Sequence, residues 1–249
     1  MRIKVSVHEG VARVRLDHPP LNILDIAMLD ELREAVHGLP EVRALVVETP
    51  HKAFSAGASV EEHLPEQADS MLRAFHAALE AVLDFPAPTL AAVNGAAMGG
   101  GMELALACDF VLASDNAKFG QPEIKLAVFP PLAAVLLPRL IPHRMAWELV
   151  LTGRTVSAQR ALELGLVNRV APSEELEKAV QEFLAMFHGL SPAALRLCKK
   201  ALRLGSDYKA ALRDVERVYL EELMREPDAV EGLRAFLEKR APVWTGVSV

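Results

Sequence analysis

The chain has 249 residues, of which 51% are hydrophobic and 24% charged, with a net charge of −6. That balance suits a folded globular protein with one large core, and it excludes disorder, collagen-like repeats and a generally basic surface for nucleic acid or anionic lipid. The two cysteines, Cys108 and Cys198, provide neither a disulfide framework nor a zinc site, which predicts a reducing, cytoplasmic setting with inert, buried thiols. The first ten residues show no apolar leader segment, and the longest uncharged run, 85–102, is interrupted by four glycines, two prolines and Asn94. Neither export nor a membrane span is expected.

In chain order, residues 3–7 and 11–16 alternate at period two around Glu9-Gly10 and predict a hairpin. His18-Pro19-Pro20 ends that pattern. Met28, Leu29, Leu32 and Val36 then set a helix over 27–37, before the β-branched strand 44–48. A Ser/Gly-containing stretch, 53–60, precedes a helix over 66–84; the Pro86/Pro88 break leads to strand 89–93, and a glycine-rich turn opens a helix over 99–107. Strand 110–113 and an extended piece at 118–120 run into Gln121-Pro122-Glu123.

Beyond that point helical periodicity dominates, over 157–164, 173–188, 192–204, 206–224 and 228–239, with Ser157, Ser173, Ser191 and Ser206 placed as N-caps. The expectation is an α/β body over 1–190 and a C-terminal helical region over 191–249. The closing helices are too few to enclose a core alone, so their apolar stripes should pack on the body or on another subunit.

The segment 92–109 is the most informative: a strand runs into Gly99-Gly100-Gly101 and then into a helix of small residues. Consecutive glycines at a helix start are unfavourable, so something there requires bare backbone. The dinucleotide pattern would need glycine at Leu104, and the Walker pattern would need lysine at Gly101. What remains is a helix N-terminus whose free amides face negative charge. A second glycine-interrupted loop, 53–59, offers the Ala58 amide, which with the Gly100 amide would form an oxyanion hole. Glu103, one turn beyond Gly100, lies on the same side, and Glu123 in its Pro-stiffened turn is the second acid candidate. Paired carboxylates around one water can take a proton from it and return another.

Read together, HPPLNIL, AFSAGAS, AAVNGAAMGGGMELALACD, AKFGQPEIKL, LTGRTVSAQRALELGLVNRV and AFLEKRAP resemble the crotonase, or enoyl-CoA hydratase/isomerase, superfamily over nearly the whole chain. Glu103 and Glu123 stand twenty positions apart, as the paired glutamates of enoyl-CoA hydratases do. The resemblance implies an α/β spiral of ββα units with a C-terminal helical trimerisation region, assembled as a homo-trimer or homo-hexamer. It implies hydration of a conjugated acyl-CoA thioester, with Ala58 and Gly100 as oxyanion-hole donors and Glu103 and Glu123 as acid and base, in either assignment. Coenzyme A would enter as part of the substrate along Leu21-Asn22 and the segment Ala56–Val60, which includes Ser59, with Met98, Gly99, Pro122, Pro130 and Pro131 as further substrate-binding residues. No separate cofactor, metal, nucleic acid or membrane partner is implied.

The departures are Ser59, where most of the family has Asp, and residues 127–134, where the family has a glycine-rich loop and this chain has Pro131 and Leu132. Pro131 lacks an amide and Leu132 adds bulk, so a reshaped acyl pocket is expected. LNILDIAM and VFPPLAAVLLPRL resemble the cyclohexa-1,5-dienecarbonyl-CoA hydratases in particular. A double-bond isomerase on the same scaffold is the nearest alternative. A serine hydrolase fails because Glu61 stands where the nucleophile elbow needs glycine, and a non-catalytic RNA-binding relative is disfavoured by the acidic balance. None of the eight histidines, His63 and His76 among them, has the i, i+4 spacing of a metal pair, so each reads as a surface or packing residue.

Overall fold

The computed structural model describes residues 1–204 and 208–244. Strands β1 (Ile3–His8) and β2 (Val11–Leu16) form the expected antiparallel hairpin. Helix α1 (Ile26–His37) begins where the Asp25 carboxylate accepts the Met28 amide at 2.9 Å, and it buries the stripe Met28, Leu29, Leu32 and Val36. There follow β3 (Ala44–Glu48), β4 (Ala53–Ser55), α2 (Ala68–Leu83), β5 (Thr89–Val93), β6 (Ala96–Met98), α3 (Gly100–Ala107), β7 (Phe110–Ser114) and β8 (Lys118–Gly120). The second half contributes α4 (Pro131–Leu140), α5 (His143–Thr152), β9 (Thr155–Ser157), α6 (Ala158–Leu164), β10 (Arg169–Ala171) and α7 (Leu176–Ala185). The chain closes with α8 (Pro192–Leu204), α9 (Tyr208–Arg217) and α10 (Pro227–Leu237).

One sheet has the order β1-β2-β3-β5-β7-β10 and the other β4-β6-β8-β9. The pairs β3/β4, β5/β6 and β7/β8 each place one strand in each sheet, so the chain winds as a spiral of strand–strand–helix turns. Apart from β1 with β2 and β8 with β9, the pairings are parallel. Strand β3 is buried on both faces, as parallel strands require: Leu45 and Val47 join the main core, while Ala44 and Val46 meet Leu176, Val180, Phe183 and Leu184 of α7 on the other side.

The closing helices divide. Tyr208, Leu212, Tyr219, Ala229 and Leu233 enter the main core of the same chain, with α9 packed on α4, whereas α8 leaves Leu197 and Leu202 exposed. Several sequence expectations are corrected. Ser157 and Ser191 do cap α6 and α8 through the Arg160 and Ala194 amides, but Ser173 opens a 3₁₀ turn instead, because its hydroxyl donates to Asp115 and α7 starts at Leu176. Ser206 lies outside the described residues. The helix expected over 206–224 ends as α9 at Arg217, and a π turn (Val218–Glu222) and a 3₁₀ turn (Leu223–Arg225) follow it. Cys198 is exposed, while Cys108 is buried and its thiol is pushed up to about 12, chiefly by burial. Among the described residues no helix is long and apolar enough to cross a membrane.

Candidate active site

The two sequence loops meet at the start of α3. The Leu24 amide donates to the Gly57 carbonyl at 2.9 Å and the Ser59 amide to the Leu24 carbonyl at 3.2 Å. That ladder uses the groups on either side of Ala58 and so turns the Ala58 N–H to the opposite side. Gly100 is the first residue of α3, where an amide has no intrahelical acceptor. A Cβ on Gly100 would stand 3.2 Å from the Ala58 nitrogen and 2.7 Å from the Phe75 ring, so close approach requires glycine. Gly99, at φ 51°, donates its amide to the Gly120 carbonyl at 2.9 Å; a Cβ there would stand 2.4 Å from Glu123 Oε1. The glycine triplet thus brings a helix N-terminus, a loop amide and one carboxylate together.

Glu103 lies on the first turn of α3 and is only 3% exposed. Its Oε1 accepts the Ala133 amide at 2.8 Å. Burial pushes its carboxyl up to about 7, against the pull of the Ala133 amide, the His76 charge and the Leu132 amide. Glu123 is half-buried; burial and then the Glu103 charge hold its carboxyl well above the ordinary value. The Glu103 charge makes ionisation of both acids together unfavourable. The buried Gln121 amide, oriented so that its nitrogen meets acceptors, donates to both Glu123 oxygens at 3.2 Å.

Glu103, Glu123, Ala58 and Gly100 line one cavity of about 80 Å³, with Ala56, Val60, Gly99, Pro122, Pro130 and Pro131 around them. Leu21, Ser59 and Met98 are not in its wall. Leu21 is exposed, and its carbonyl accepts the Ala56 amide at 2.9 Å, so it sits at the mouth of the loop. Ser59 serves the backbone ladder, and its carbonyl bonds His63 Nδ1 at 2.7 Å. Met98 ends β6, just before the turn. Asn22, beside Leu21, is fully committed to the fold: its side chain accepts the His18 amide at 2.8 Å and donates to Thr49, Ala53 and Phe54.

The bulk expected of Leu132 falls elsewhere. Leu132 is buried in the core, because Pro131 starts α4 and turns the next side chain inward; the wall is made by Val128, Phe129, Pro130 and Pro131. Sequence reasoning missed Met71, Leu72 and Phe75 of α2, which read as an ordinary core stripe, and His63, whose proton affinity burial lowers. A larger hollow of about 670 Å³ lies at the C-terminal ends of α1 and α2, and its rim mixes Arg33, Arg43 and Arg196 with Glu41, Glu80 and Asp84.

The winding of two sheets around an inner helix start, with acids beside it, defines a spiral α/β enzyme. Residues 6–247 match the model of the enoyl-CoA hydratase/isomerase family; the chain belongs to that family and is an enzyme of its lyase type. It is 41% identical over 240 residues to the cyclohexa-1,5-dienecarbonyl-CoA hydratase of Thauera aromatica, covering 94% of this chain and 93% of that one. It is 39% identical over 251 residues to the carnitinyl-CoA dehydratase of Salmonella typhi, covering 95% of each. A solved enoyl-CoA hydratase from Mycobacterium avium subsp. paratuberculosis K-10 superposes with a TM-score of 0.88 at 28% identity, covering 99% of both chains.

Proposed function

We propose that this enzyme adds water to a conjugated, ring-borne dienoyl-CoA thioester, with the Ala58 and Gly100 amides receiving the thioester oxygen. Two donors converging on that oxygen stabilise the enolate that forms as water adds at the β-carbon of the conjugated thioester. Glu103 and Glu123 hold the water between them. One takes its proton as the oxygen bonds to carbon, and the other delivers a proton to the enolate carbon, so the pair returns to its starting charge. Dehydration is the same path reversed.

The observation that carries this reading is the shared cavity wall, which Glu103, Glu123, Ala58 and Gly100 all line. Gln121, bonded to both oxygens of Glu123, orients that acid, as the Ala133 amide orients Glu103. A cyclic acyl group is favoured by the 41% identity to a cyclic dienoyl-CoA hydratase and by a wall of Phe75, Val128, Phe129, Pro130 and Pro131. The test is an assay of the purified chain on cyclohexa-1,5-dienecarbonyl-CoA and crotonyl-CoA, following loss of conjugated-thioester absorbance. Hydration of the ring substrate is the expected result; double-bond migration without uptake of solvent oxygen would overturn it.

A further inference from the structure

Among the described residues, three buried side-chain polar atoms have no hydrogen-bond partner: His18 Nδ1, His76 Nε2 and the Tyr219 hydroxyl. His76 engages Glu216 through its other nitrogen. The Tyr219 hydroxyl engages nothing, although the residue is fully buried. A sealed, unpaired donor is costly, and a retained one calls for an explanation.

Its position supplies one. Tyr219 lies in the π turn (Val218–Glu222) that follows α9, a local insertion of the kind that re-aims side chains at functional sites. Its ring meets Phe129 edge-on at 5.2 Å between centroids, and Phe129 is part of the cavity wall. After burial itself, the charges acting on the Tyr219 hydroxyl are those of Glu123 first and Glu103 second, and all three keep the phenol protonated. The C-terminal region therefore places a neutral donor behind the Phe129 part of the cavity wall. Tyr219 itself is not part of that wall, so Phe129 must move aside for its hydroxyl to reach the space that Glu103 and Glu123 line.

We infer that the Tyr219 hydroxyl is a substrate-contacting donor reserved for the oxygen that is added or removed: with the acyl group in place and Phe129 displaced, its O–H donates first to the water held by the two glutamates and then to the new hydroxyl. Tyr219 transfers no proton in this scheme; it fixes where the oxygen sits. The inference rests on the hydratase reading, and the experiment separates the two.

The variant is Tyr219→Phe in the full chain, which removes the unpaired oxygen and leaves the ring on Phe129. Calorimetry would compare butyryl-CoA with the tighter-bound enantiomer of 3-hydroxybutyryl-CoA, alongside steady-state hydration and thermal melting. The expected result is a loss of about tenfold in affinity for the hydroxyacyl ester, the worth of one hydrogen bond, with butyryl-CoA changed less than about twofold. kcat should fall about ten- to a hundredfold while Tm holds or rises. Tyr208→Phe is the control: that hydroxyl bonds Asp84 at 3.2 Å, away from the cavity, and its loss should lower Tm without altering the ligand ratio. Equal effects on both esters, or none, would overturn the Tyr219 contact even if wild-type hydration is robust. A wild-type chain that discriminates the esters through Tyr219 yet hydrates nothing, the ring substrate included, would overturn the hydratase reading alone, and a chain that binds neither ester and hydrates nothing would overturn both.

Discussion

The Glu103 carboxylate accepts the Ala133 amide at 2.8 Å, so one turn of α4 points its N-terminus at an acid on the first turn of α3. Pro131, which the sequence alone presents as a lost donor, takes the first helical position, where its missing amide costs nothing, and its fixed φ helps to start the helix. The donor the acid needs comes two residues later. A helix N-terminus favours an ionised carboxylate and burial disfavours it, so Glu103 is poised where it can give or accept a proton near neutrality.

From this pairing, Glu103→Gln and Glu123→Gln should each lower kcat by at least about a hundredfold, the lower end of what acid–base groups contribute. Binding of a saturated acyl-CoA should be nearly unchanged, because the Ala58 and Gly100 amides proposed to receive the thioester oxygen remain. Steady-state hydration with calorimetric ligand titration checks this, and near-wild-type turnover in either variant would disprove the two-acid mechanism.

The raised proton affinity of Glu103 also ties stability to pH. From an ordinary 4.5 the carboxyl rises to about 7 in the folded chain, so the folded state binds the proton more tightly than the unfolded one. Its contribution is full below the unfolded value and is lost as pH rises through about 7. Glu103→Gln keeps an oxygen for the Ala133 amide and removes the titration. Melting curves should show the variant more stable than wild type by a few degrees at pH 8, with the gap closing toward pH 5; a gap that widens on acidification would contradict the burial argument.

Gly99→Ala should be disabling for two separate reasons. The residue has a φ of 51°, and a Cβ would come within 2.4 Å of Glu123 Oε1. Backbone strain of about 1–3 kcal/mol should appear in denaturant midpoints, and displacement of the acid should cut kcat at least about tenfold beyond any loss of folded protein. Full activity in the folded fraction would show that Glu123 has room the structure denies it.

The strands β1 and β2 and the helix α1 are legible because each repeats apolar residues at the period of its own geometry, and β3 and β5 because each is a short, unbroken apolar run. Glu103 and Gly100 are legible because glycines at a helix start are otherwise unfavourable. What escapes is whatever only tertiary contact defines. Strands β4, β6 and β9 span three residues each, too few for a period. Helix α4 hides behind Pro130, Pro131 and Pro138, which read as breakers. Phe75 and Met71 look like core until Ala58 and Gly100 are seen with them around one cavity, and Tyr219 meets Phe129 of that cavity's wall only because the chain folds back after α9.

Assembly should be visible in solution. Helix α8 exposes Leu197 and Leu202, and an apolar hollow of about 500 Å³ beside it is lined by Leu106, Leu136, Leu140, Leu195 and Leu202. Further copies of the chain would cover such a surface, and the trimer or dimer of trimers is what the resemblance to the crotonase superfamily implies. Light scattering should return three or six times 27.1 kDa. A monomer at micromolar concentration would refute this.

Substrate choice should follow the wall that replaces the glycine-rich loop. Leu132 points into the core, so selectivity falls to Phe129, Pro130 and Pro131, with Phe75 opposite in the same cavity. A flat ring can lie between such faces while its thioester oxygen reaches the Ala58 and Gly100 amides; a long flexible chain must bend past Phe129. Discrimination by apolar fit is worth about 1–3 kcal/mol, so preference and not exclusion is expected. The order of kcat/KM should be cyclic dienoyl-CoA first, crotonyl-CoA second and long linear enoyl-CoA last. Phe129→Ala should reverse part of that order, improving the long chain relative to the ring by about tenfold or more, since it removes the side chain in the way. Long linear substrates that match the ring in the wild-type enzyme, or a Phe129→Ala variant that leaves the ratio unchanged, would show that this wall does not set the acyl preference.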